Sequence, residues 1–226
     1  MRVGSTERQP VRAVIFDLWE TLVDWDQASA AEMVQAIAAR SGVAPEDFHR
    51  RWDTRENPRY VGPIRDALLS VGVTEEALED VCAIRLEYNR GALVPRAGVV
   101  ETLRTLRERG FLLGLITVCS EEVELVFPET QLAGLFDAEV FSNAVGLAKP
   151  DPRIYQHCCE LLGVSPQEAV FVGDGANDEL EGARRVGMDA ILIHRAGEGP
   201  MWPELQEWDG PCVTTIPEVL EVLEQC

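Results

Sequence analysis

Five short apolar runs, rich in Val, Ile, Leu and Phe, recur at 12–16, 111–116, 138–141, 169–172 and 189–193, and most are separated by segments of helical periodicity. Runs this short and this largely apolar fit strands buried on both faces, and strands separated by helix-length connections pair in parallel. The expected fold is therefore α/β, a doubly wound parallel sheet with helices on both faces. The covering helices are expected at 98–109 (closed by Gly110), 120–127 (stopped by Pro128), 152–163 and 177–186, with a last one at 217–225. The stretch 197–212, which holds Trp202 and Trp208 among Gly and Pro, reads as an irregular connection.

Between the first and second strands the pattern changes. Residues 26–92 hold helix-like stretches at 28–41, 45–53, 62–71 and 75–90 and no convincing strand, and the breakers Pro95 and Gly98 follow. The expected organisation is a core of 1–25 and 93–226 interrupted by a helical insert, 26–92. Trp25 at the edge of the insert and Trp52 and Tyr60 within it either line a pocket or pack helices together, and packing is the favoured expectation.

Composition narrows the class of partner. A formal charge of -19 over 226 residues repels nucleic acid and anionic membranes, so neither is expected, and an anionic ligand needs a local positive site. No apolar stretch approaches the ~20 residues of a membrane helix, and MRVGSTERQP lacks the apolar centre of a signal peptide. A frayed start and a cytoplasmic protein are expected. The 6 cysteines show no metal-binding spacing and are expected as free thiols. Of the 20 basic residues 19 are arginine; Lys149 alone is lysine. An ammonium is a compact point charge where guanidinium is a planar fork, so a lone lysine in an arginine-rich chain marks a place where the difference matters.

Ligands of parallel sheets bind outside the carboxyl ends of the strands. Asp17 follows the first run, Thr117 the second, Lys149 lies beyond the third and Asp174 follows the fourth. A carboxylate, a hydroxyl, an ammonium and a second carboxylate are thus expected to converge at one sheet edge. Asp178 and Glu179 lie close behind Asp174 in VFVGDGANDELEGA, and either could be the next acid of the group. One lysine cannot balance three carboxylates, and Mg²⁺ prefers such hard oxygens. The residues after Thr117, TVCSEE, open a helix with Ser120 as a candidate cap.

DLWET (Asp17 to Thr21), Thr117, Lys149 in GLAKPDPRIY, and VGDGANDELEGA resemble, in order, the four motifs of the haloacid dehalogenase-like hydrolase superfamily. The resemblance implies a Rossmann-like core, with the helical insert in the place of that family's small cap. It implies Asp17 as nucleophile, Thr117 and Lys149 as binders of the transferred anion, and Mg²⁺ held by Asp17, the Trp19 backbone carbonyl, Asp174 and one further acid, with Asp178 taken for that place. The activity implied is Mg²⁺-dependent hydrolysis of a small phosphate ester through an aspartyl-phosphate on Asp17.

Trp19 departs from that pattern. Phosphatases of the family usually carry a second aspartate there, an acid and base of the kind worth ~10²- to 10⁴-fold. Glu20, one residue on in an extended segment, is expected to point elsewhere. A non-acidic aromatic at this place resembles the 2-haloacid dehalogenase branch, for whose anionic groups Arg50 and Arg51 are loose candidates, whereas the acidic GDGAND resembles the phosphatases. A catalytically weak binding protein of the same fold is the third alternative. A lysine-dependent phosphonate mechanism is excluded, because the insert has no lysine. Substrate identity and oligomeric state are not readable.

Overall fold

The computed structural model describes residues 10–54 and 58–224. Six parallel strands form one sheet: β1 (Ala13–Phe16), β2 (Leu112–Thr117), β3 (Ala138–Phe141), β4 (Ala169–Gly173), β5 (Asp189–Ile193) and β6 (Cys212–Val213), in the order β3-β2-β1-β4-β5-β6. The chain steps outward from β1 through β2 to β3 and then returns to β1's other side with β4. The strand order therefore reverses at β1, the place where open parallel sheets leave a crevice. Phe16 pairs with Leu115 on one side and Val172 on the other, which brings the carboxyl ends of β1, β2 and β4 to within two residues of one another along the strands.

Successive side chains of β1 alternate between faces, as the pleat requires. Val14 and Phe16 join one core with Leu103 and Leu106 of α5 (Val99–Glu108), whereas Ala13 and Ile15 join the other with Ile154 and Cys158 of α8 (Pro152–Leu162). Helix α8 has a local reason for its ends: the Asp151 side chain accepts from Arg153 N, Pro152 opens the helix and Gly163 closes it in the left-handed region. It lies so close to β2 that a Cβ on Gly114 would meet Cys158 Sγ at 2.9 Å.

Helices α1 (Gln27–Ser41), α2 (Pro45–Trp52), α3 (Ile64–Ser70) and α4 (Leu78–Ala92) intervene between β1 and α5 and surround a cluster of their own, including Ile37, Phe48, Leu68 and Val81. Asp26 starts α1 by accepting from Ser29 N at 2.9 Å. Helix α6 (Glu121–Val126) of the core packs against α4 and joins the two helical groups to one another.

Several expectations shift. The irregular stretch ends in β6, a strand of two residues that carries no periodicity to read. A short helix, α7 (Ser142–Val145), follows β3 without a sequence signal. The helix expected from 177 begins at α9 (Glu179–Val186), because Asn177 and Asp178 both adopt left-handed conformations, φ 55 and 57. The last helix is α10 (Val219–Leu223). Cys82, Cys119, Cys158, Cys159 and Cys212 are free thiols. The expected frayed start at residues 1–9, the end of the last predicted helix at 225 and Cys226 lie outside the described residues. Among those described, no helix is long and apolar enough to cross a membrane.

Candidate active site

Asp17 ends β1 because its neighbours are strand: its N–H donates to Val172 O at 2.9 Å, which fixes the backbone while the carboxylate leaves the sheet edge. Lys149, from the loop before α8, donates to both Asp17 Oδ1 and Glu179 Oε2. Thr21 Oγ1 donates to Asp17 Oδ2 at 3.2 Å. Asp174 follows β4, accepting from Ala176 N at Oδ1 and from the Trp202 indole at Oδ2, both at 3.1 Å. Glu179 opens α9 and also accepts from Gly175 N at 3.0 Å. Residue 173 is glycine for a reason of space: a Cβ there would lie 2.1 Å from Glu179 Oε1.

Asp17, Asp174 and Glu179 are all buried and can each bring one oxygen within 4.8 Å of the others. Burial pulls the Lys149 ammonium down, but the Asp17 and Glu179 carboxylates outweigh it and hold it above the usual lysine range. Burial pushes the Glu179 carboxyl well above the carboxylate range; Lys149 opposes that rise, while Asp17 and Asp174 add to it. Asp174 is raised by burial and then by Asp17, against the lowering hydrogen bonds from Ala176 and Trp202. Three acids around one ammonium are over-supplied with negative charge, and a hard divalent cation is the partner such oxygens suit. Thr117 Oγ1 is buried without a hydrogen-bond partner among the described residues, at the sheet edge where an anion would meet it.

The strand-end residues foreseen from sequence, Asp17, Lys149 and Asp174, are therefore together, with Thr117 level with them at the end of β2. Asp178 is exposed and outside the cluster; Glu179 takes the place beside Asp17 and Asp174. Trp19 is half-buried, its ring edge-on to Trp25 at 5.6 Å. Glu20 is indeed turned to other work, though not through extended backbone: its φ is 55, and its carboxylate is held by Arg96 and Arg195, each at 3.0 Å. Ser120 stands at the N-cap position of α6, but its side chain makes no capping bond; its hydroxyl accepts from Arg85 at 3.4 Å.

A cavity of about 480 Å³ opens between the helical insert and the core. Trp19 and residues 118–120, which follow Asp17 and Thr117 in sequence, line it together with Trp25, Trp52, Tyr60 and Tyr88. Packing was the expectation for Trp25, Trp52 and Tyr60, yet all three line the cavity, and Trp52 packs in the insert's core as well. Arg50 is exposed and paired with Asp47, and Arg51 donates to Val71 O. The arginines that line the cavity are Arg59 and Arg85, which sequence reasoning missed because no pattern distinguishes them from other helix arginines.

A parallel sheet that gathers a buried carboxylate, ammonium and acid pair outside its carboxyl edge, under a helical insert, defines a hydrolase of the Rossmann-like class. A family model described as haloacid dehalogenase-like hydrolase matches residues 11–187, and the chain belongs to that family. A Mycobacterium tuberculosis protein named as a phosphatase is 33% identical over 202 residues, covering 83% of this chain and 89% of its own. A protein of Burkholderia cepacia named (S)-2-haloacid dehalogenase 4A is 28% identical, covering 84% and 86%. A crystal structure of a HAD phosphatase from Thermococcus onnurineus shares the fold at a TM-score of 0.72 and 22% identity, covering 94% of this chain and 98% of that one.

Proposed function

We propose that the protein is a phosphatase that hydrolyses a small phosphate monoester with Asp17 as nucleophile and Mg²⁺ as cofactor. The observation that carries this reading is the buried set of Asp17, Asp174 and Glu179 around a single ammonium. An all-oxygen donor set with excess negative charge fits Mg²⁺, with Asp17, Asp174 and Glu179 as the side chains to hold it. When bound, the ion would neutralise charge that develops on the transferred phosphoryl group.

The chain's own residues account for the rest. Lys149 donates to Asp17 and presents positive charge where the phosphoryl oxygens would lie, and the Thr117 hydroxyl is free to donate to one of them. An Asp17 oxygen attacks phosphorus as the bond to the ester oxygen breaks, giving an acyl phosphate and the alcohol's anion. Water then attacks phosphorus, the aspartyl oxygen leaves, and the carboxylate is restored with release of inorganic phosphate. The helices between residues 27 and 92 act as a cap that keeps this centre from bulk water.

The relative named as a phosphatase supports the choice, and so does the acidic set beyond β4; Arg50 and Arg51, the loose candidates for a dehalogenase's anionic groups, do not line the cavity. The second reading, 2-haloacid dehalogenation, rests on Trp19 and on the Burkholderia relative. Purified protein with and without Mg²⁺ should release phosphate from aryl and sugar phosphates only with the metal, and Asp17→Asn should lose essentially all turnover. Metal-independent chloride release from 2-chloropropionate would establish the dehalogenase instead, and no release from either would leave a binding protein.

A further inference from the structure

The cavity lined by Trp19 and Val118, which lie two residues beyond Asp17 and one beyond Thr117, bears on which ester is cut. Its lining includes Trp19, which stands where the family resemblance places an acid for the leaving group, so the leaving group departs without help from that position. A phenol-type oxygen can do so: its conjugate acid has a pKa of about 10, against about 15.7 for water. The cavity walls are suited to the same molecule. Trp19, Trp25 and Tyr88 form a continuous edge-to-face series, with centroids 5.6 and 6.2 Å apart, and Trp25 is 47% exposed despite its size. An aromatic ring left this open beside a cavity of about 480 Å³ gains a stacking partner and loses water when another ring enters.

Charge in the cavity narrows the class further. Arg85 is bound to Glu122 and lies over the Trp52 ring at 4.1 Å, and Arg59 is bound to Asp53 and lies over Tyr60 at 4.3 Å. Both guanidiniums are thus committed within the protein, leaving neither to receive a carboxylate on the substrate. We infer that the enzyme's substrate is a phosphate monoester of an uncharged aromatic alcohol, its ring seated against Trp25 in the cavity between cap and core while its phosphoryl group meets Asp17. This inference rests on the phosphatase reading and names the substrate class of that site.

Leaving-group acidity and ring recognition must be separated, so the test compares two esters of similar acidity: 2-naphthyl phosphate and hexafluoroisopropyl phosphate, both with Mg²⁺. The aromatic ester should be favoured at least tenfold in kcat/KM. Trp25→Ala should lower that ratio about tenfold, and Trp208→Ala, a tryptophan outside the cavity, should leave it unchanged. A carboxylated aryl ester, 6-carboxy-2-naphthyl phosphate, should be a poorer substrate than its uncharged parent. Equal use of the two matched esters, a ratio that Trp25→Ala does not move, or preference for the carboxylated ester would overturn the inference while leaving a phosphatase. Failure to release phosphate from any of the three would overturn the phosphatase reading and this inference with it.

Discussion

Trp202 donates its indole N–H to Asp174 Oδ2 at 3.1 Å from the connection after β5, a residue far in sequence from every motif. Groups that hold a metal-binding carboxylate in place commonly change metal affinity by ~10- to 100-fold when removed. Trp202→Phe, which retains an aromatic ring, is therefore expected to raise the Mg²⁺ concentration for half-maximal phosphatase activity about tenfold, with kcat at saturating Mg²⁺ little changed. Glu179 and Asp174 carry a second prediction. A carboxyl whose native pKa is raised holds its proton more tightly folded than unfolded, so its ionisation removes stability as pH rises from the ordinary carboxylate range through the raised native value. Mg²⁺ binds the ionised form, so the Mg²⁺-induced rise in Tm should be larger at pH 8 than at pH 5; equal rises would contradict the assignment of these acids. Asp17, Thr117 and Asp174 were legible because each stands at or just beyond an apolar run, and Lys149 because it is the chain's single lysine. Asp178 and Glu179 could not be told apart, since the choice depends on two successive left-handed residues that composition does not announce, and Trp202 sat in a stretch without any pattern.

Helices α4 and α6 meet across the junction of insert and core through a fully buried ion pair, Arg85 with Glu122, whose Oε2 has no partner among the described residues. Removing one member of such a pair leaves the other charge buried and typically costs ~3–5 kcal/mol, whereas replacing both with apolar residues is often neutral or better. Glu122→Ala should therefore lower stability by about 3 kcal/mol, a fall in Tm of roughly 6–12 °C for a domain of this size. Arg85→Met combined with Glu122→Leu should restore most of it, as read by thermal denaturation of the three proteins. The longer helices were legible from their spacing and their stops, and the five main strands from their largely apolar runs. What joins α4 to α6 was not legible, because a buried Arg–Glu pair between residues 37 apart looks in sequence like two solvated helix charges. β6 escaped for the opposite reason, being too short for any period to show.

At the scale of the whole molecule the balance of charge works against the proposed substrate. The chain carries -19, and the cations around the site are each committed: Lys149 to Asp17 and Glu179, Arg85 to Glu122, Arg59 to Asp53. A phosphate monoester near neutral pH is close to a dianion, so its approach runs against the field until it reaches the metal-loaded centre. Salt shortens the reach of that field, from about 30 Å at 0.01 M ionic strength to about 8 Å at 0.15 M. With Mg²⁺ fixed, kcat/KM for 2-naphthyl phosphate should rise several-fold as NaCl is raised from ~10 to ~150 mM, while kcat, set after binding, should hardly move. A fall in kcat/KM over the same range would mean that the local field at the cavity mouth is positive despite the net charge, and that the committed arginines still draw the substrate in. The two outcomes separate a site that tolerates an acidic molecule around it from one that counters that acidity locally.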